Sequence, residues 1–250
     1  MTDTITSVQN RHAKAAKALK TRKGRAASQL FLVEGVKCVQ ELLAHAPSLV
    51  QQLFVREGDD EQIAFAKTTG HTPFIAADHV MSAVCDTKTP QGIAAVARIP
   101  EASLPESGFI VALDDVQDPQ NVGTIIRTAD AAGCAGVVLS AACADHHSPK
   151  CVRASMGSLF HLPVVRTDLI EALCAYKQTG CRIACASLDG ESEYAHDFHN
   201  TCLIIGNESR GVSQAVRALC TDFLNIPMFG KAESLNAAVA AGILIYKIRT

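Results

Sequence analysis

No uninterrupted apolar run in this chain reaches the roughly 18 residues that a membrane-crossing helix requires. The start, MTDTITSVQNRH, lacks the charged-then-apolar layout of a secretory signal. The expected setting is therefore cytoplasmic, with no membrane partner. Paired cysteine spacing is missing too: the chain has ten cysteines but no C-x-x-C. They lie singly on apolar segments, as at Cys134, Cys174, Cys202 and Cys220, and the close pair Cys181 and Cys185 falls in the strand-like run RIACASL. This pattern speaks against a disulfide framework and against zinc, leaving buried free thiols and no metal as the expectation. Also absent are G-x-G-x-x-G, G-x-x-x-x-G-K-[ST], G-x-S-x-G and H-E-x-x-H, so the commoner dinucleotide, phosphate-loop, hydrolase and zinc-protease readings lose their signatures. A small-molecule oxidoreductase on a doubly wound sheet suffers most from the missing glycines.

A surplus of positive charge is lacking as well, since the net charge is −2 over 250 residues. Its distribution says more. Arg11, Lys14, Lys17, Lys20, Arg22, Lys23 and Arg25 follow one another with no acidic residue between them. Such a run is either a solvated helix face or a phosphate-binding patch. It has little apolar stripe of its own, Ala13, Ala16 and Leu19, so the expected helix need not serve the core and would suit an RNA backbone. His146 and His147, in ADHHSPK, read as part of a polar loop.

With 48% hydrophobic residues the chain can build one large core or two ordinary ones. Strand and helix signals alternate from LFLVEG through QQLFVRE, DEQIAFAKTTG, TPFIA and HVMSAVC to GIAAVARI. PEASLPESG then reads as a linker, with Pro100, Pro105 and Gly108. A second series follows: FIVALDD, a helix entered at Pro119 and stopped by Gly133, then GVVLS, LPVVR, RIACASL, CLIIG and FLNIP. This is the pattern of an α/β fold with a parallel sheet and crossover helices. The expected division is a domain at 1–99, a linker at 100–108 and a second domain at 109–250.

Three stretches of the second part stand out. DDVQDPQNVGTIIR leads from a strand into a helix on which Asn121, Thr124 and Arg127 recur about once per turn. Asn121 could cap that helix, and Arg127 could form a buried salt bridge. LIIGNESRGVS is a strand entering a loop bounded by Gly206 and Gly211, with Glu208 at the carboxyl end where open α/β sheets bind ligands. NIPMFGKAESLNAAVAAGILIYKI passes from a polar loop into a helix that is apolar around most of its circumference and is expected to be buried.

In order and spacing these stretches, at 121–129, 204–211 and 226–240, resemble the three motifs of the SpoU/TrmH family of RNA ribose 2′-O-methyltransferases, within the SPOUT superfamily. RASMGSLFHLPV at 153–164 is similar to a fourth stretch of that family, and the chain from SVQNRH through FLVEG resembles its substrate-binding domain, related to ribosomal protein L30. The resemblance implies a C-terminal α/β trefoil-knot domain, a smaller N-terminal L30-like α/β domain, S-adenosylmethionine as methyl donor and a homodimer through the C-terminal domain. By matching position, Gly206, Ile226 and Leu235 would hold the donor through main-chain groups, with Asn207, Met228 and Ser234 beside them. Arg127 matches an arginine proposed as the base. A guanidinium with a pKa above roughly 12 rarely yields its proton, so gripping a phosphate and orienting the 2′-hydroxyl is the preferred role. Asn121 and Glu208 would fix that geometry, with Ser155 or Asn236 near the acceptor. In motif three Ala237 and Ala238 replace the family's usual Val-Ser pair. The favoured substrate is 23S ribosomal RNA; transfer RNA, or a non-catalytic RNA-binding assembly factor of the same fold, are the alternatives.

Overall fold

The structure is a computed structural model that describes residues 4–191 and 200–249, with Glu191 described by its backbone alone. In chain order the first elements are helices α1 (Arg11–Ala18) and α2 (Arg22–Ser28), strand β1 (Leu30–Glu34), α3 (Val36–His45), β2 (Val50–Arg56), α4 (Asp60–Thr68), β3 (Phe74–Ala76), α5 (Asp78–Val84) and β4 (Ile93–Arg98). There follow β5 (Phe109–Leu113), α6 (Pro119–Ala131), β6 (Gly136–Ser140), α7 (Pro149–Ser155), β7 (Val164–Thr167) and α8 (Leu169–Gln178). The last are β8 (Arg182–Glu191), β9 (Thr201–Ile205), α9 (Gln214–Arg217), β10 (Asp222–Leu224) and α10 (Ala237–Arg249). They form two compact units, one of Met1–Glu101 with Asp145–Phe160 and one of Ala102–Ala144 with His161–Thr250. Among the described residues no helix is long and apolar enough to cross a membrane.

In the first unit the sheet runs β1-β4-β2-β3, antiparallel at β1/β4 and β2/β4 and parallel at β2/β3. The basic run forms two helices rather than one. The Thr21 hydroxyl donates to the Ala18 carbonyl at 3.0 Å and accepts from Gly24 N at 3.1 Å, ending α1 and capping α2. Gly24 is required at this corner, because a Cβ there would lie 2.0 Å from the Ala18 oxygen. Nor is α1 independent of the core: Ala13, Ala16 and Leu19 are all buried, packed in a cluster with Leu32, Phe54 and Met81. Burying a side chain such as Leu19 contributes roughly 1.5–3 kcal/mol, which outweighs the thin apolar stripe seen in the sequence.

The insertion at 145–160 is held within this unit by polar side chains. Arg25 donates to Asp145 at 2.6 and 2.9 Å and to the Leu19 carbonyl at 2.7 Å. Burial pushes the Asp145 carboxyl up, but the hydrogen bonds from Arg25 and His147 N outweigh it and hold the group below the ordinary carboxylate range. Arg153, on α7, pairs with Glu34 and with Asp86. His146 and His147 are buried, not part of an exposed polar loop, with the His147 ring 4.7 Å from that of Phe31.

The second unit has a six-stranded sheet, β10-β8-β9-β5-β6-β7, parallel at every pairing. Strands β5, β6 and β9 are buried along their whole length, as central parallel strands covered on both faces must be. Helix α6 starts at Asp118, whose side chain accepts from Gln120 N at 2.9 Å, with Pro119 at its first position. Helix α10 is buried along Ala237, Ala238, Ala241, Leu244, Ile245 and Ile248. It is not buried all round, as its composition suggested: Val239, Ile243 and Tyr246 are 51%, 40% and 48% exposed.

All ten cysteines are free. Burial pushes the thiols of Cys38 and Cys85 up to about 11 and that of Cys134 to about 12, so these remain protonated and inert.

Candidate active site

Strands β5, β9 and β10 belong to one parallel sheet, so the loops leaving their carboxyl ends gather along the same edge, where such sheets hold ligands. The three sequence motifs supply these loops. The Glu208 carboxylate, in the loop after β9, accepts from Gln117 N at 3.1 Å, Asp118 N at 3.1 Å and Asn121 Nδ2 at 2.9 Å. It therefore caps the amino end of α6, where partial positive charge favours an anion. Asn121 is buried, and its Oδ1 accepts from Asn236 Nδ2 at 3.0 Å. Asn236 Oδ1 in turn accepts from Ala238 N at 2.9 Å and Val239 N at 3.3 Å, capping α10.

This Asn236–Asn121–Glu208 chain fixes both amide orientations, since each donor faces an acceptor. Asn121 is thus a link between loops, while the cap of α6 that it might have supplied is Asp118. Burial pushes the Glu208 carboxyl up, but the bond from Asn121 and the backbone N–H groups outweigh it, so its pKa lies below the ordinary carboxylate value.

A second set of bonds shapes the loop around Glu208. Asn207 Oδ1 accepts from Ser209 N at 3.0 Å and Arg210 N at 3.1 Å, and its Nδ2 donates to the Asp115 carbonyl at 2.9 Å. Arg210 pairs with the Asp115 carboxylate. Asp115 has φ 60°, a backbone uncommon outside glycine that aspartate tolerates better than most residues. Asp114 accepts from Ser213 N at 2.7 Å. The partners of Asp114 and Asp115 in this loop, Asn207, Arg210 and Ser213, lie 92 to 99 residues away, and no local signal announced them.

These loops border a cavity of about 490 Å³, within the roughly 300–1,000 Å³ usual for small-molecule sites. Its wall includes Gly206, Asn207, Ile226, Met228, Ser234 and Leu235. S-adenosylmethionine, the donor implied by the resemblance, fits it chemically. Ile226, Met228 and Leu235 give an apolar surface for an adenine ring, and the carboxylates of Asp189, Glu208 and Glu233 suit a sulfonium and an ammonium. Gly206 allows the close turn: a Cβ there would lie 2.2 Å from the Gly211 carbonyl carbon and 2.3 Å from Val212 N. The Asn207 side chain is occupied by Ser209 N, Arg210 N and the Asp115 carbonyl, so this residue borders the cavity with its side-chain amide already engaged. The wall also contains Arg217, which the sequence did not single out; it bonds Asp189 at 3.0 Å and lies 4.5 Å from the centre of the Phe223 ring.

Other expected residues are placed differently. Arg127 is exposed on α6, and among the described residues it takes no ion pair, so the buried salt bridge considered for it does not form. Ser155 is fully buried in α7, within the first unit, and its hydroxyl donates to the Val152 carbonyl at 2.8 Å. It is a packing residue of that helix, not a hydroxyl offered to an acceptor. Arg11, Lys14, Lys17, Arg22 and Lys23 are exposed and Lys20 half-buried, whereas Arg25 is buried in its pair with Asp145 and unavailable to a phosphate.

Residues 108–246 match the SpoU rRNA Methylase family, and residues 10–95 match the MRM3-like substrate binding domain. A parallel α/β sheet preceded by a substrate-binding domain defines the class as an RNA methyltransferase with its own RNA-reading module. The chain belongs to the SpoU rRNA methylase family. It is 39% identical over 247 residues, 98% of each chain, to the 23S rRNA (guanosine(2553)-2′-O)-methyltransferase RlmP of Bacillus subtilis. It is 33% identical to the 23S rRNA (uridine(2479)-2′-O)-methyltransferase of Streptomyces viridochromogenes, over 97% of this chain and 90% of that one. Among solved structures, the AdoMet-bound rRNA methyltransferase from Sinorhizobium meliloti superposes with a TM-score of 0.87 at 30% identity, covering 99% of this chain and 97% of that one. The SpoU methyltransferase AviRb from Streptomyces viridochromogenes, in complex with AdoMet, gives 0.85 at 31% identity, over 96% and 97%.

Proposed function

We propose that this protein methylates a ribose 2′-hydroxyl of 23S ribosomal RNA. The observation that carries this reading is the Asn236–Asn121–Glu208 chain, which ties all three motif loops together beside one cavity of suitable size. Bound there, S-adenosylmethionine supplies an electrophilic methyl group. Gly206, Ile226 and Leu235 would hold it through main-chain groups, with Asn207, Met228 and Ser234 completing the wall. Arg127, exposed and without an ion pair among the described residues, is suited to grip the phosphate next to the target and so orient the hydroxyl. Glu208 is ionised and already accepts three hydrogen bonds, which leaves it little basicity; with Asn121 and Asn236 it fixes geometry rather than taking the proton.

Ribosomal RNA is favoured over transfer RNA because two relatives matched over nearly their whole length, substrate-binding part included, are named for 23S rRNA, while a third matched as fully is named only as a tRNA/rRNA methyltransferase. The exposed cations on α1 and α2 (Arg11, Lys14, Lys17, Arg22 and Lys23, with Lys20 beside them) give that part a phosphate-binding face. We place the domains at 1–99 and 109–250, joined by 100–108. We further take the second domain to be a trefoil knot and to form a homodimer; the exposed face of Val239, Ile243 and Tyr246 on α10 supports the latter. Ten free cysteines and a ribosomal substrate suit the reducing cytoplasm.

The test is incubation with labelled S-adenosylmethionine and unmodified 23S rRNA or transfer RNA, followed by mapping of any ribose-methylated nucleotide. Label in 23S rRNA alone is expected. Label in transfer RNA alone would overturn the substrate, and donor binding without transfer to either would favour an assembly factor.

A further inference from the structure

We infer that Phe229 is a stacking platform for a base of the RNA beside the methylated ribose, a proposal that rests on the methyltransferase reading above. Phe229 is 97% exposed, more than any other large hydrophobic residue among those described. A phenyl ring held so fully in water stabilises nothing in the protein by itself, so its place in the structure matters. It lies in the segment between β10 and α10, which has neither helix nor strand. Met228 immediately before it lines the cavity, and so do Glu233, Ser234 and Leu235 on the return of the same loop. Phe229 is therefore at the tip of a loop whose two arms both wall the donor cavity.

A 2′-hydroxyl can reach a methyl group in that cavity only if its ribose comes to the rim, and the attached base and the next nucleotide must then pass over the loop. Unstacked RNA bases are recognised by aromatic side chains, whose faces accept any base. Lys231, two residues on and exposed, places a positive charge where the backbone phosphates would run. A second copy of the chain is the less suitable occupant. Phe229 is followed by exposed Gly230, Lys231 and Glu233, and interface cores are depleted in lysine and glutamate. The exposed apolar row Val239, Ile243 and Tyr246 lies instead on a helix, at the spacing of a packing face.

The test uses the full-length protein and unmodified 23S rRNA. Phe229→Ala is expected to bind the RNA about five- to a hundredfold more weakly, raising KM for RNA. Donor affinity, kcat at saturating RNA and sedimentation should not change. The chain contains no tryptophan, so Phe229→Trp introduces a single reporter; its emission is expected to be quenched as RNA is added, with affinity kept. RNA affinity of Phe229→Ala within about twofold of the parent, well below the usual stacking effect, would overturn the proposal. So would emission from Phe229→Trp that ignores RNA, or a smaller sedimenting species for Phe229→Ala, which would assign the ring to a contact between copies. Quenching by RNA in a protein that transfers no methyl group would overturn the methyltransferase reading and leave stacking at Phe229 standing.

Discussion

Glu34 and Glu208 each gather backbone N–H groups of a neighbouring loop, and their surroundings differ in an instructive way. Glu34, in the first unit, has a side chain 2% exposed; it accepts from Asp86 N at 2.8 Å and Thr87 N at 3.3 Å and pairs with Arg153. A carboxylate so far from water needs an opposite charge to offset its desolvation. Glu208, in the second unit, is exposed at the cavity wall and among the described residues takes no ion pair; its donors are two backbone amides and a carboxamide. The first glutamate holds a loop to a core. The second holds three loops in register and leaves its remaining field facing the cavity. Removing the first should therefore cost stability, and disturbing the second should cost turnover.

The largest effect is expected from Glu34→Ala. It leaves Arg153 facing a buried gap and strands two amides, a change that typically costs about 3–5 kcal/mol. Urea unfolding should show it; a loss under about 1 kcal/mol would mean that Arg153 turns to Asp86 or to water and that the two glutamates are less different than their burial implies. Asn121→Ala is next. It cuts the link between Glu208 and Asn236, and a misplacement of about 1 Å at the reacting centre lowers kcat about a hundredfold, while stability should fall by only about 1–2 kcal/mol. Full turnover in that variant, at saturating RNA and donor, would reduce the chain to a structural device like Glu34. Arg127→Lys should leave stability within about 0.5 kcal/mol, because the side chain is exposed. Turnover should nevertheless fall about tenfold, since lysine has one charge centre in place of a two-pronged fork. Wild-type turnover would rule out the phosphate grip.

The same contrast explains what could be read from the sequence. Phe109–Leu113 is an unbroken apolar run between loop signals and Thr201–Ile205 is one after its first residue, and the buried centre of a parallel sheet leaves that signature. The motif loops carried glycine, asparagine and glutamate at strand ends, a local pattern with a chemical reason. Contacts between distant segments left no such trace. Arg25 read as one more cation because Asp145, its partner, is 120 residues away. Ser155 read as a candidate because a hydroxyl in a motif does not reveal that it is turned inward to Val152. The break between α1 and α2 was local and legible in principle, in Thr21 and Gly24, but the unbroken run of seven cations masked it. Helix α10 misled in the other direction: its composition gives hydrophobicity, and only the fold shows which of its apolar residues stay exposed.

The smallest expected effect separates a positioning carboxylate from a base. The Glu208 pKa is depressed in the folded protein below its ordinary value of 4.5. A group depressed on folding contributes stability above its unfolded pKa and loses it as pH falls through the folded one. The stability difference between the wild type and Glu208→Gln should therefore be constant from pH 7 to about pH 5, close at lower pH, and stay under about 1 kcal/mol because the group is exposed. Wild-type turnover should show no acid limb from Glu208 above about pH 5, since the carboxylate is ionised throughout that range. A stability difference that grows on acidification would reverse the sign of the shift. An acid limb centred near pH 6 that disappears in Glu208→Gln would make Glu208 the proton acceptor, and its hydrogen bonds to Asn121 and the α6 amides would then serve to tune a base.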